Sequence, residues 1–375
     1  MATVGNITNP FSVTSYIGPE YFCGRETESE ALFSALFNRR NVTLISKRKL
    51  GKTGLIHHFL NNFSKKEAFC FYIDIDGTAN LDDFVKVFGE EVLGKAASIS
   101  SKLFNGALAV LSSLRPTFET DSITGNGKWT LTTQNINATT TLKSIFEYLE
   151  KAPLPCYVAF DEFQTIKDYP EKKVKAILRS HIQHLNNVHF VFAGSKKNIM
   201  LRMFTDVEQP FYQSTQIMTI WTIAEETYYE FADKHLSKHG QKISRETFSQ
   251  LYRKVDGNTW AIQNILNRLY QLKSKELTPA EVSFVIQRIV EEFSEGFKMY
   301  CTLVSQKQKE LLKAIAHEGY VKEIMSKDFL NRYQLGAAST VSAAAQVLTD
   351  KELVYLSDTG EYSIYNPFFA IYLRS

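Results

Sequence analysis

The sequence predicts an α/β protein: a parallel-sheet core, then a run of helices, then a small unit of three helices and a β-hairpin. Three observations carry that expectation. Short apolar runs at 42–45, 68–74, 156–160 and 188–193 alternate with amphipathic stretches of helical period. That is the pattern of strands buried on both faces and joined by crossover helices. From Ile223 onward the strand-like runs stop and helical periodicity takes over. Near the end, 353–356 and 362–365 flank Asp358-Thr359-Gly360, which reads as a hairpin.

The chain of 375 residues is long enough for two or three domains. The expected divisions are an arm over 1–20, a core over 21–222, a helical lid over 223–302 and a winged-helix unit over 303–375. At 44% hydrophobic, each can build a core. No run is long enough to span a bilayer, and the first residues show no secretory signal. Cys23, Cys70, Cys156 and Cys301 are scattered, with no C-x-x-C pair. They read as reduced thiols of a cytoplasmic protein. A net charge of +3 neither demands nor excludes nucleic acid.

In chain order, the polar arm leads to Gly24-Arg25-Glu26-Thr27-Glu28 and a helix over 26–38. Arg25 and its neighbours are expected beside the base of a bound nucleotide. A plain helix start, with glutamates at the positive dipole end, reads the same way. Next comes the strand 42–45, then Ser46-Lys47-Arg48-Lys49-Leu50-Gly51-Lys52-Thr53, then a helix opening with Gly54. Strand, tight loop and helix with Gly-Lys-Thr make a phosphate-binding P-loop. The helix start offers backbone N–H groups and a positive dipole end. Ser46, Arg48, Lys49, Leu50, Gly51, Lys52, Thr53 and Gly54 are therefore the expected nucleotide-binding residues. Lys52 would reach the β- and γ-phosphates of ATP, and the Thr53 hydroxyl would hold Mg²⁺. Ser46 stands where the motif usually begins with glycine.

Strand 68–74 is followed by helices over 81–93 and 96–114. Residues 115–133 then read as strand, turn and strand, a hairpin inserted in the core. It is open as a partner contact, a dimer element or an edge ribbon. After a helix over 142–150, the strand 155–160 runs into Asp161-Glu162. Asp161 is placed to hold Mg²⁺, and Glu162 to polarise an attacking water. On its own this pair could be charges where a strand surfaces, but with the P-loop upstream it completes a site. A basic helix over 171–185 reads as a solvated face. Strand 188–193 ends in Gly194-Ser195. In a P-loop sheet with an additional strand it lies between the P-loop strand and the Asp-Glu strand, so Ser195 is placed to sense the γ-phosphate. An ordinary Gly-Ser turn is the alternative there.

The lid is expected as helices over 225–238, 244–254, 260–272 and 279–297. The winged helix is expected as helices over 306–318, 326–333 and 337–351 plus the hairpin. Its third helix has no Lys or Arg before Lys351. From Lys298 onward there are seven Lys and two Arg against five Glu and three Asp. Phosphate attraction supplies most DNA affinity, so this unit is expected to contact protein, or a second copy, in preference to DNA.

These motifs together resemble the archaeal-type ATPases, a prokaryotic branch of the STAND class of P-loop NTPases related to AAA+ proteins. The marks are Phe22-Cys23-Gly24-Arg25-Glu26-Thr27-Glu28, Arg48-Lys49-Leu50-Gly51-Lys52-Thr53, Asp161-Glu162-Phe163-Gln164, Gly194-Ser195, Pro210-Phe211-Tyr212 and Tyr365-Asn366-Pro367-Phe368-Phe369. The resemblance implies an AAA+-like sheet, an ATP–Mg²⁺ site, and a nucleotide-driven switch in signalling or regulation. The alternative is a nucleotide-gated scaffold or DNA-associated regulator with little hydrolysis. Gln213-Ser214 stands where relatives often have Gly-Arg, and Gly257-Asn258-Thr259-Trp260 where a lid Gly-x-Pro is common. Both departures predict slow hydrolysis.

Overall fold

The computed structural model describes residues 9–120, 127–132 and 137–375. The turn expected at 124–127 and the strand end at Thr133 fall largely outside them. The chain forms two compact units, one from 15–221 and one combining the N-terminal residues up to 14 with 222–375.

The first unit is built on a five-stranded parallel sheet. Its strands are β1 (Val42–Ile45), β2 (Phe69–Asp74), β5 (Cys156–Asp161), β6 (Val188–Gly194) and β7 (Gln216–Thr219), in the order β2-β5-β6-β1-β7. The strand after the Asp-Glu pair therefore lies beside the P-loop strand, the additional-strand arrangement. Strand side chains alternate between faces. Val158 and Phe160 join a cluster with Phe84, Phe88, Phe146 and Leu178. Tyr157 and Ala159 join the opposite cluster with Leu32, Leu36, Leu55 and Phe59. The crossover helices supply those partners: α1 (Glu26–Phe37) and α2 (Lys52–Asn61) on one face, α3 (Leu81–Ile99), α5 (Ala138–Glu150) and α6 (Val174–Ile182) on the other. Two layers of helix over a sheet buried on both faces explain why these strands carry unbroken apolar runs.

Several expected boundaries move. The helix over 81–93 runs on to Ile99, and the next, α4, is only Ser101–Val110. Ser100 is extended and its hydroxyl accepts from Leu103 N–H, so a residue expected in mid-helix is a cap instead. The hairpin strands are β3 (Thr117–Thr120) and β4 (Gly127–Thr130), antiparallel, with Phe118 opposite Trp129. The helix α7 (Lys197–Thr205) and strand β7 were not expected. All of β7 is half-buried, so it shows no apolar run.

The second unit opens with α8 (Glu225–Lys238), α9 (Arg245–Lys254) and α10 (Thr259–Tyr270). It is not all helix, since β8 (Lys242–Ile243) pairs in parallel with β9 (Glu276–Leu277). The long helix expected over 279–297 is two, α11 (Pro279–Glu292) and α12 (Ser294–Thr302). They break at Phe293, whose ring stacks on Trp260. The winged helix follows as α13 (Gln306–Glu318), α14 (Lys327–Arg332), α15 (Ala338–Asp350), β10 (Val354–Leu356) and β11 (Tyr362–Ile364). Val321 bridges to Tyr362 as the edge of the small sheet. A last helix, α16 (Pro367–Arg374), is capped by Asn366 and opens on proline.

The expected arm does not stay one piece. Phe11 is fully buried in the helical unit, edge-on to Phe231 and Tyr270. Asn9 donates to the Asn267 carbonyl, and Asn267 in return donates to that of Phe11. From residue 15 the chain belongs to the core, where Tyr16 packs on Phe22 and His58. No described helix is long and apolar enough to cross a membrane. All four cysteines are free thiols.

Candidate active site

The site forms at the C-terminal ends of β1, β5 and β6, where a parallel sheet presents its loops. The loop after β1 turns through left-handed residues, Lys49 (φ 65°) and Gly51 (φ 92°), the latter capping α2. A β-carbon is costly at such a φ, so glycine suits the position. The turn brings Lys52 and Thr53 to the head of α2, beneath Asp161.

Thr53 Oγ1 donates to Asp161 Oδ2 at 2.7 Å. Lys52 Nζ lies 3.7 Å from Asp161 Oδ1 and 3.7 Å from Glu162 Oε1, and its side chain is only 7% exposed. A buried ammonium needs such partners. Asp161 is itself buried, at the last position of β5, directly opposite Asp74 of β2. Burial first, with the negative charges of Asp161, Asp76 and Glu162 added, lifts the Asp74 carboxyl above its usual range. The Asp76 backbone N–H partly offsets that lift.

Glu162 has φ 53°, a left-handed turn for a residue other than glycine. The bend ends the strand and starts the 3₁₀ turn Phe163–Asp168. Glu162 Oε2 accepts from Ser195 Oγ at 2.8 Å and from Gln164 Nε2 at 2.5 Å. Arg48 Nε donates to Ser195 Oγ at 3.1 Å. The P-loop, the Asp-Glu pair and the Gly-Ser turn are thus joined in one network. Lys52, Thr53, Asp161, Glu162, Ser195 and Arg48 all belong to it.

The other expected residues lie around this network. Arg25 is buried, donating to the Leu50 carbonyl at 2.8 Å and pairing with Glu28 at 2.6 Å. It braces the loop from behind. Ser46 is buried and its hydroxyl donates to the Lys47 carbonyl, so it shapes the loop entrance. Lys49 is exposed at the loop tip, and Gly54 lies against Phe22.

Two participants have no assigned role in the sequence reading. Tyr72 donates its hydroxyl to Asp161 Oδ2 at 3.0 Å. Burial, then the Asp161 charge, pushes its hydroxyl far above the usual range, so it stays a donor. Gln164 is the other. Its proximity to the Asp-Glu pair was visible, but its contact with Glu162 depends on the turn.

The residue set fits Mg²⁺. The Thr53 hydroxyl and Asp161 carboxylate are hard oxygen donors facing one another, and Mg²⁺ takes few protein ligands when phosphates complete its shell. No described cluster of three His, Cys, Asp or Glu suits a metal bound by protein alone.

Comparison with known proteins bears on the family and the fold. Residues 22–265 match the model of an ATPase domain predominantly from Archaea, and 295–375 match one described as a probable winged helix domain. A Walker-type ATPase of Pyrococcus abyssi has the same fold: TM-score 0.67, 17% identity, covering 98% of this chain and 100% of that one. The ORC2 protein of Aeropyrum pernix, solved with ADPNP and ADP, gives TM-score 0.59 at 15% identity, over 97% of this chain and 95% of that one. The ORC1 protein of the same organism, solved with DNA, gives TM-score 0.51 at 11% identity, over 97% and 95%. No curated protein matches the chain.

Proposed function

The chain belongs to the family of ATPase domains found predominantly in Archaea, and on that footing we propose that it is a Mg²⁺-dependent ATP hydrolase working as a slow conformational switch. One observation carries the reading. The hydroxyl, ammonium and two carboxylates needed for phosphoryl transfer converge at the head of α2, with Lys52 between Asp161 and Glu162.

Each group then has a task. Backbone N–H groups at the start of α2 and the Lys52 ammonium receive the β- and γ-phosphates. Thr53 and Asp161 would hold Mg²⁺, which would supply charge neutralisation to the nucleotide phosphates. Tyr72 fixes the Asp161 carboxylate from the β2 side. Phosphate draws Lys52 away from Glu162 Oε1, leaving that oxygen to accept a proton from water. Ser195 and Arg48 report the γ-phosphate, because both lie on the network that ends at Glu162. Catalysis of this kind is positioning and electrostatics, so a site that keeps its carboxylate engaged turns over slowly.

The test is single-turnover hydrolysis with Glu162→Gln. The rate should fall at least about a hundredfold, with fluorescent-nucleotide affinity kept. An unchanged rate overturns the assignment. Lys52→Ala should abolish nucleotide binding itself.

A second reading, nucleotide-gated binding with little hydrolysis, is favoured by the three donors already on the Glu162 carboxylate. The output under either reading goes through the winged helix. The exposed residues of α15 are Ser339, Thr340, Ser342, Ala343, Gln346, Val347 and Asp350, with no positive charge. That surface suits a protein partner better than a phosphate backbone. A DNA titration across salt checks it, and steeply salt-dependent binding would reverse the choice.

A further inference from the structure

We propose that Gln164 is a positioning residue for Glu162, setting the direction of the carboxylate without touching the nucleotide. This rests on the reading of Glu162 as the group that polarises water.

The contact is direct. Gln164 Nε2 donates to Glu162 Oε2 at 2.5 Å, although the two residues are separated only by Phe163. Residues two apart on a strand share a face but start about 7 Å apart. The left-handed backbone of Glu162 and the 3₁₀ turn that follows fold the amide back under the carboxylate. Phe163 anchors the turn, being fully buried against Phe192 and Phe211.

The surroundings are shaped to the amide. Gln164 is 4% exposed, and its Oε1 has no hydrogen-bond partner among the described residues. A buried, half-satisfied amide costs stability, so packing alone does not account for it. Nor is the orientation arbitrary, since the reversed amide would set an oxygen against a carboxylate oxygen. Gly194 provides the room. A β-carbon there would collide with Gln164 Oε1 and with Met200.

The two oxygens of Glu162 are served differently. Oε1 faces Lys52, a group that phosphate can draw away. Oε2 is held by Gln164 and Ser195. Ser195 is tied in turn to Arg48 of the P-loop, so it too answers to the nucleotide. Gln164 is the one donor of the three carried on the same turn as Glu162. It keeps Oε2 in place while Oε1 is freed, so the carboxylate presents one defined oxygen to water.

The experiment is a double-mutant cycle on the full chain, read by single-turnover hydrolysis and fluorescent-nucleotide affinity. Gln164→Met preserves shape and removes the donor. Gln164→Glu preserves shape and replaces the donor with an acceptor. Each should slow turnover about tenfold to a hundredfold, with nucleotide affinity within about twofold of wild type. Retained affinity also shows that the variant is folded. In a Glu162→Gln background, Gln164→Met should slow hydrolysis no further, because the two residues act as one unit. Equal slowing in both backgrounds marks a merely structural role and overturns the proposal. So does wild-type turnover by Gln164→Met. If Glu162→Gln alone leaves the rate unchanged, the water-polarising reading falls and the proposal falls with it. That outcome is distinct from a Glu162 effect that Gln164 does not share.

Discussion

Replacing Arg25 by Met should loosen the phosphate loop from a position that never meets phosphate. Met keeps most of the apolar stem and removes the guanidinium. Arg25 gives the Leu50 carbonyl a charged donor at 2.8 Å, in a side chain only 2% exposed. Losing such a bond costs about 1.5–3 kcal/mol. The Glu28 pair adds little, about 1 kcal/mol or less, because Glu28 is 27% exposed and screened. The sum is about 1.5–4 kcal/mol. A buried pair exchanged whole for apolar groups can be neutral, but here the carbonyl and the glutamate remain, which is the costly case. For a unit of this size the melting temperature should fall by about 5–15 °C. Fluorescent-nucleotide affinity should weaken about tenfold as the carbonyl before Gly51 loses its anchor. Arg25 also sits at φ 74°, strained for any residue but glycine. Arg25→Gly recovers about 1 kcal/mol of that strain while losing the same bonds. It should still melt below wild type. Differential scanning calorimetry decides: a Met variant melting within a degree of wild type, or a Gly variant melting above it, refutes the brace.

Three further outcomes follow from the same geometry. Thr53→Ala should remove the Mg²⁺ dependence of nucleotide binding, seen in titrations with and without chelator, while metal-free binding changes little. Phe11→Ala should destabilise the helical unit by about 3–5 kcal/mol, the cost of emptying a fully buried aromatic site, measured by denaturant unfolding. His57, His58, His181 and His189 are all held below the usual histidine range, by burial first. A depressed folded value means that the unfolded chain binds protons more readily. The stability these groups contribute should be present above about pH 6.5 and be lost as pH falls through their folded values. Urea unfolding between pH 8 and 5 checks the sign, and a flat or opposite slope across that range contradicts it.

The fold was legible where local chemistry and burial agree. Helices α8 and α13 have the ends their sequences announce, and Ser305 with Gln308 forms a capping box. β5 and β6 are buried at every residue, so their apolar runs stand out. β7 was hidden because an edge strand with half-buried residues has no such run. The break at Phe293 was hidden because it depends on Trp260, a ring from a distant helix. The site divides in the same way. Lys52, Thr53, Asp161 and Glu162 each sit beside a motif residue that gives them away. Tyr72 becomes part of the site only through the register of β2 on β5, and Gln164 only through the left-handed turn at Glu162. A motif reports which residues are adjacent in the chain, whereas these two depend on adjacency in space.

The seat of Phe11 has a bearing on how the protein is made. Its ring neighbours, Phe231, His235 and Tyr270, lie on the far side of the whole nucleotide core in the chain. The helical unit is therefore begun first on the ribosome and can be closed only after α10 has emerged. The core, from residue 15 to 221, is in effect an insertion within it. It can form its sheet during synthesis while the first segment waits for a place to dock. Two peptide crossings then join the units, so a single protease cut at either crossing leaves them linked.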